Sequence, residues 1–165
     1  DSVASRGLGD VYKRQNSISH VILFRWQTNI KWSCFWETKK LIYGIGIDLC
    51  SIKRVQNIKY LHKFANRILT SNEIEYLDTL DKKNSINYLA KQFAAKEALS
   101  KALGTGLTGD VKLNQIEIDR DRSGKPYIKM NDHMKTLLSK IGVNSTFVSL
   151  ADDSDYAIAT VILEK

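Results

Sequence analysis

"LIYGIGIDLCSIKRV", residues 41–55, decides the fold, because it reads as a strand that ends beside a carboxylate. Tyr43, Ile45, Ile47 and Leu49 alternate with Ile42, Gly44, Gly46 and Asp48, the period of two that sends successive side chains to opposite faces. The bulky set predicts the core face. The other face is nearly bare, two glycines leading to Asp48, so a ligand could approach the backbone closely there. A buried carboxylate needs a cation or hydrogen-bond donors. Capping of the next helix would meet the same need, so Asp48 alone selects no chemistry.

Outward from this strand, a basic helix is predicted from Ser51, its N-cap, to about Arg67. "TSNEIEYL" (70–77) offers Thr70 or Ser71 as the cap of a short helix, and "DKKNS" (81–85) reads as a loop. "NYLAKQFAAKEALSKALG" (87–104) is the strongest helix, rich in Ala, Leu and Lys and closed by Gly104. "LNQIEIDRDRSGKPYIKM" (113–130) gives two strands around a turn at Ser123-Gly124, with Pro126 opening the second. A helix over 131–141 carries Met134, Leu137, Leu138 and Ile141 on one side, and "TFVSLADDSDYAIATVILE" (146–164) closes the chain as a hairpin turning near Asp153–Asp155. The expected fold over residues 41–165 is a single α+β domain, an antiparallel sheet packed with a long central helix.

Composition narrows the function classes. Net charge is +7, but residues 1–40 carry 7 Lys/Arg against 3 Asp/Glu, leaving 18 against 15 beyond them. The basic balance therefore gives little support to nucleic-acid binding. Two cysteines and three histidines without metal-ligand spacing argue against a zinc site or a disulfide framework and make the cytoplasm the default setting. The apolar run Val21–Phe24 is too short to cross a membrane. "DSVASRGLGDVYKRQ" (1–15) is similar to adaptor-derived sequence translated at the end of an assembled read. Residues 1–40 are accordingly expected to be a non-native or disordered extension, and a chain starting at Leu41 to fold and act by itself.

On the long helix, Ala95, Ala98, Leu99 and Ala102 form the predicted buried stripe, with Phe93, Glu97, Ser100 and Lys101 opposite. An aromatic among charges suggests a ligand or partner surface. Glu97 and Lys101 read equally as an ordinary i,i+4 surface pair.

Taken together, "GIGIDLCSIKRV", "FANRILTSNEIEYL", "FAAKEALSKALGTGL", "IEIDRDRSGKPYI" and "YAIATVILE", in this order, resemble the holo-acyl-carrier-protein synthases, 4′-phosphopantetheinyl transferases. The likeness covers essentially all of residues 41–165, and Leu41 falls where that family usually starts with Met. It implies transfer of 4′-phosphopantetheine from coenzyme A to a serine of acyl carrier protein, in support of fatty acid biosynthesis. It implies Asp48 and Glu97 as Mg²⁺ ligands, and Lys101 as added positive charge on the phosphates beside Glu97 as a catalytic group. The Gly104-Thr105-Gly106 loop and the Gly124-Lys125-Pro126 turn would shape the coenzyme A pocket. Arg54, Arg67 and Phe93 would face the carrier, and the assembly would be a homotrimer with sites between subunits. One departure stands out: many relatives have Ser-His in the closing hairpin where this sequence has Ala151-Asp152, so a histidine contact to the nucleotide does not carry over. A binding module that grips an acidic protein through its basic helix is the competing class. It would need neither metal nor Asp48 and Glu97.

Overall fold

The structure, a computed structural model, describes residues 41–104 and 112–165; the readings of residues 1–40 and of Gly106 lie outside the described residues. The chain opens with β1 (Ile42–Ser51), then α1 (Ile52–Gln56), α2 (Leu61–Ile68), α3 (Ser71–Asp78) and the long α4 (Lys82–Leu103). A short 3₁₀ turn (Leu113–Gln115) leads into the β2 (Glu117–Arg120) and β3 (Pro126–Lys129) hairpin, followed by α5 (Asp132–Lys140) and the closing pair β4 (Ser145–Asp152) and β5 (Tyr156–Glu164). The α+β reading is correct. Strands β1, β5 and β4 form one antiparallel sheet in that order, and β2 and β3 form a second.

The facing of β1 is opposite to the expectation. Ile45, Ile47 and Leu49 are each more than half exposed, whereas Gly46 and Cys50 are buried. The reason is the long helix. A Cβ built on Gly46 would lie 1.9 Å from the Ala98 carbonyl oxygen and 2.6 Å from the Ala102 nitrogen, and one on Gly44 would lie 2.0 Å from the Ala102 carbonyl oxygen. The glycines thus admit α4 rather than a ligand, and small residues meet small residues along the contact. Ala95, Ala98, Leu99 and Ala102 are buried against the sheet as expected, together with Val161, Ala159 and Val148.

Local chemistry explains the element boundaries. The basic stretch after β1 is two helices, because α1 stops at its C-cap Asn57 and α2 begins only after Tyr60. Ser51 Oγ accepts from Arg54 N–H at 3.3 Å, so Ser51 is the cap of α1 and Asp48 is free of that duty. Thr70 caps α3 in a full capping box with Glu73. The expected loop at 81–85 is instead the start of α4: Asp81 accepts from Asn84 N–H at 3.0 Å, and the 22-residue helix runs from there to Gly104, whose φ of +73° ends it. Aspartate followed by lysines carried a cap signal that the loop reading overlooked.

Candidate active site

Asp48 lies on the helix-facing side of edge strand β1, paired in register with Ala159. Close packing of α4 on Gly44 and Gly46 brings the flank of that helix up to it. Lys101 Nζ reaches across to donate to Asp48 Oδ1 at 2.8 Å and to the Ile47 carbonyl at 3.0 Å. The Asp48 side chain is 16% exposed and that of Lys101 51%. Glu97, one turn before Lys101, is partly buried, and its carboxyl is pushed above the usual range by burial and then by the Asp48 charge, with Lys101 opposing. Lys101 therefore pairs with Asp48 across the fold, in place of the local pair with Glu97 that spacing alone allowed. Two carboxylates and an ammonium from β1 and α4 converge.

The donor set suits a hard divalent ion. Asp48 and Glu97 bear on each other electrostatically, which a cation between them relieves. Among the described residues no group of three or more His, Cys, Asp or Glu side chains gathers as a metal cage. Two carboxylates fit Mg²⁺, which fills its remaining positions with water and phosphate oxygens.

Other sequence-predicted residues are placed around this centre. Gly104 caps α4 directly after Lys101 and Leu103. Lys125 sits in the exposed β2–β3 turn, its N–H donating to Asp121 Oδ1 at 3.0 Å, and Pro126 opens β3 opposite Arg120. Arg54 is exposed on α1 and Arg67 on the last turn of α2. Phe93 is half-buried, its ring 5.6 Å from that of Phe64 in a tilted contact, so much of its surface goes to packing α2 on α4. Ser100, expected beside Glu97 and Lys101 on the polar side, is buried. Asp152 ends β4 and pairs with Lys91 at 3.0 Å.

The sequence reading missed the fully buried ion pair of Lys96 and Glu73. Lys96 donates to Glu73 Oε2 and, at 2.6 Å, to the Ile68 carbonyl, while Glu73 Oε1 accepts from Ile118 N–H at 3.0 Å. The signal was a lysine on the helix face that also carries Leu89, Leu99 and Leu103, an apolar stripe where an unpaired ammonium would be costly.

The fold agrees with that of known proteins. The 4′-phosphopantetheinyl transferase superfamily matches residues 44–161. The chain belongs to that superfamily. A holo-[acyl-carrier-protein] synthase of Buchnera aphidicola subsp. Acyrthosiphon pisum is 45% identical over 125 residues, covering 74% of this chain and 98% of that protein. The crystal structure of holo-[acyl-carrier-protein] synthase from Neisseria meningitidis superposes with a TM-score of 0.70 at 41% identity, over 76% of this chain and all of the other. The Bacillus anthracis holo-(acyl-carrier-protein) synthase in complex with CoA (3′,5′-ADP) superposes at 0.64 with 35% identity, over 75% of this chain and 97% of that one. Transferase membership gives the convergence of Asp48, Glu97 and Lys101 a chemical setting. No described helix of the chain is long and apolar enough to cross a membrane.

Proposed function

We propose that the chain is a Mg²⁺-dependent holo-acyl-carrier-protein synthase. It moves 4′-phosphopantetheine from coenzyme A to a serine of apo-acyl carrier protein and releases 3′,5′-ADP, the step that readies the carrier for fatty acid biosynthesis in the cytoplasm. The observation that carries this reading is the meeting of Asp48, Glu97 and Lys101 at the β1–α4 contact. Asp48 and Glu97 would hold the ion, whose charge would stabilise the anionic leaving group, 3′,5′-ADP. Lys101, tethered by Asp48 and half exposed, turns its ammonium to the same phosphates. The serine proton passes to a carboxylate at this centre or to a water molecule. The carrier's serine attacks the β-phosphate, so the chain needs no nucleophile of its own. Gly104, and Lys125 with Pro126, line the approach of coenzyme A.

The carrier docks on α1 and α2. Lys53, Arg54, Lys59, Lys63 and Arg67 are all exposed, and none forms an ion pair among the described residues. Such a face suits an acidic helical partner. Arg54 and Arg67 make the contact, and Phe93 borders it.

The chain acts as a homotrimer. Ile45, Ile162 and Phe147 form one cross-strand row on the face of the sheet away from α4, and Leu49, Ile158 and Ala151 form another. With Ile47 between them, this is an apolar surface that a second copy would cover. Light scattering is expected to give three copies per particle, and a fully active monomer would exclude the assembly.

The metal assignment is tested by titrating Mg²⁺ into chelator-stripped protein with coenzyme A and apo-acyl carrier protein, following 3′,5′-ADP release. Release is expected to rise from near zero and saturate. Full release without a divalent ion would overturn the assignment.

A further inference from the structure

Tyr60 stands where α1 gives way to α2, and three local choices there run against the helix. It is the N-cap of α2 without a side-chain capping bond, at a position that ordinarily takes Ser, Thr, Asp or Asn. The first turn that follows holds Lys63 and no acidic residue, although a helix N-terminus favours negative charge. The tyrosine is left 58% exposed, while its neighbours Leu61 and Phe64 pack against the core. Choices that weaken an element locally are characteristic of functional surfaces.

The ring gathers cations. Lys59 Nζ lies 5.4 Å and Lys63 Nζ 5.0 Å from its centroid, both within reach of a cation–π attraction. Neither ammonium forms an ion pair among the described residues, and no Asp or Glu stands between Asp48 and Glu73 in the chain. A free lysine samples many rotamers, and ordering it when a partner binds is costly. A ring that confines two of them in advance lowers that cost, while each ammonium keeps N–H donors for an incoming carboxylate.

We propose that Tyr60 is a positioning residue for the carrier: its ring sets Lys59 and Lys63 as a paired clamp for carboxylates on the acidic surface of acyl carrier protein. The proposal rests on the transferase reading, which supplies that partner. Tyr60 lies within the exposed cationic stretch that also bears Arg54 and Arg67. The clamp adds orientation where those single charges add attraction.

The test is calorimetric titration of the full-length protein with apo-acyl carrier protein, with steady-state rates measured alongside. Tyr60→Leu keeps apolar bulk and loses the ring. It is expected to raise Kd and KM for the carrier by about three- to tenfold, while KM for coenzyme A moves by less than about twofold. Tyr60→Phe retains the ring and should stay within about twofold of the native protein. In a chain already carrying Lys59→Gln and Lys63→Gln, Tyr60→Leu should change Kd by less than about twofold, because no cation is left to position. An equal loss in both backgrounds overturns the proposal. So does native-like carrier affinity in Tyr60→Leu, or a loss in Tyr60→Phe as large as in Tyr60→Leu. Transfer by the native chain with an indifferent Tyr60 sinks this role alone, and absence of transfer sinks the reading beneath it.

Discussion

Lys101 Nζ stands 2.8 Å from Asp48 Oδ1 and 3.0 Å from the Ile47 carbonyl, so a half-exposed lysine of α4 holds the edge strand at the carboxylate assigned to the metal. With one partner so open to solvent, the pair contributes about 0–1 kcal/mol to stability. Lys101→Met should therefore leave the unfolding midpoint nearly unchanged while lowering transfer by ~10–100-fold, because a charge on the phosphates is lost. Denaturation curves and initial rates measured on one preparation check this. Unaltered kcat and KM would reduce Lys101 to a surface ion pair.

Gly46 is where the sheet accepts the helix. Gly46→Ala puts a methyl 1.9 Å from the Ala98 carbonyl oxygen, a backbone atom that cannot rotate away. We expect a loss of ~3 kcal/mol or more, or failure to fold, from overpacking. Urea denaturation of the variant measures it. A midpoint within error of the native value would mean that α4 does not rest on β1 as described.

Lys96 and Glu73 are 0% and 3% exposed, and their contacts tie α3, α4, the end of α2 and β2 together. Lys96→Met leaves a buried carboxylate without its cation and should cost ~3–5 kcal/mol. The double variant Glu73→Gln, Lys96→Met removes both charges and should recover part of that loss. Equilibrium unfolding of the two variants gives the comparison, and a double variant no more stable than Lys96→Met alone would contradict it.

Arg54→Glu should raise KM for acyl carrier protein steeply and make its binding less sensitive to salt, with little change in coenzyme A or Mg²⁺ affinity. The motivation is the run of exposed cations from α1 through α2, none of which forms an ion pair among the described residues. Kinetics at several ionic strengths decide it. An equal loss for coenzyme A would mean that Arg54 acts on the nucleotide or the fold.

Much of this was legible in the sequence, and the failures have physical causes. Alternation in β1 gave the strand, and Ala, Leu and Gly104 gave α4, because those signals are local. Alternation cannot say which face a neighbour covers. The rule that bulky residues face the core failed where an apolar face lies open and glycines take the helix. The likeness of five segments named Asp48, Glu97 and Lys101, and the structure adds why a strand and a helix remote in sequence bring them together. Lys96 with Glu73 depends on contacts between α2, α3, α4 and β2 that no local spacing encodes.

The central claim is that Asp48 and Glu97 carry the transfer through a bound Mg²⁺ ion. Mass spectrometry of apo-acyl carrier protein incubated with coenzyme A, Mg²⁺ and the native chain, or its Asp48→Ala or Glu97→Ala form, tests it most directly. The account predicts that the native chain converts the carrier fully, by the mass of one phosphopantetheine. Both variants should stay folded by circular dichroism yet be slower by ~10²–10³-fold or more, as expected when a metal ligand is removed. Near-native conversion by either variant at limiting Mg²⁺ would contradict the account.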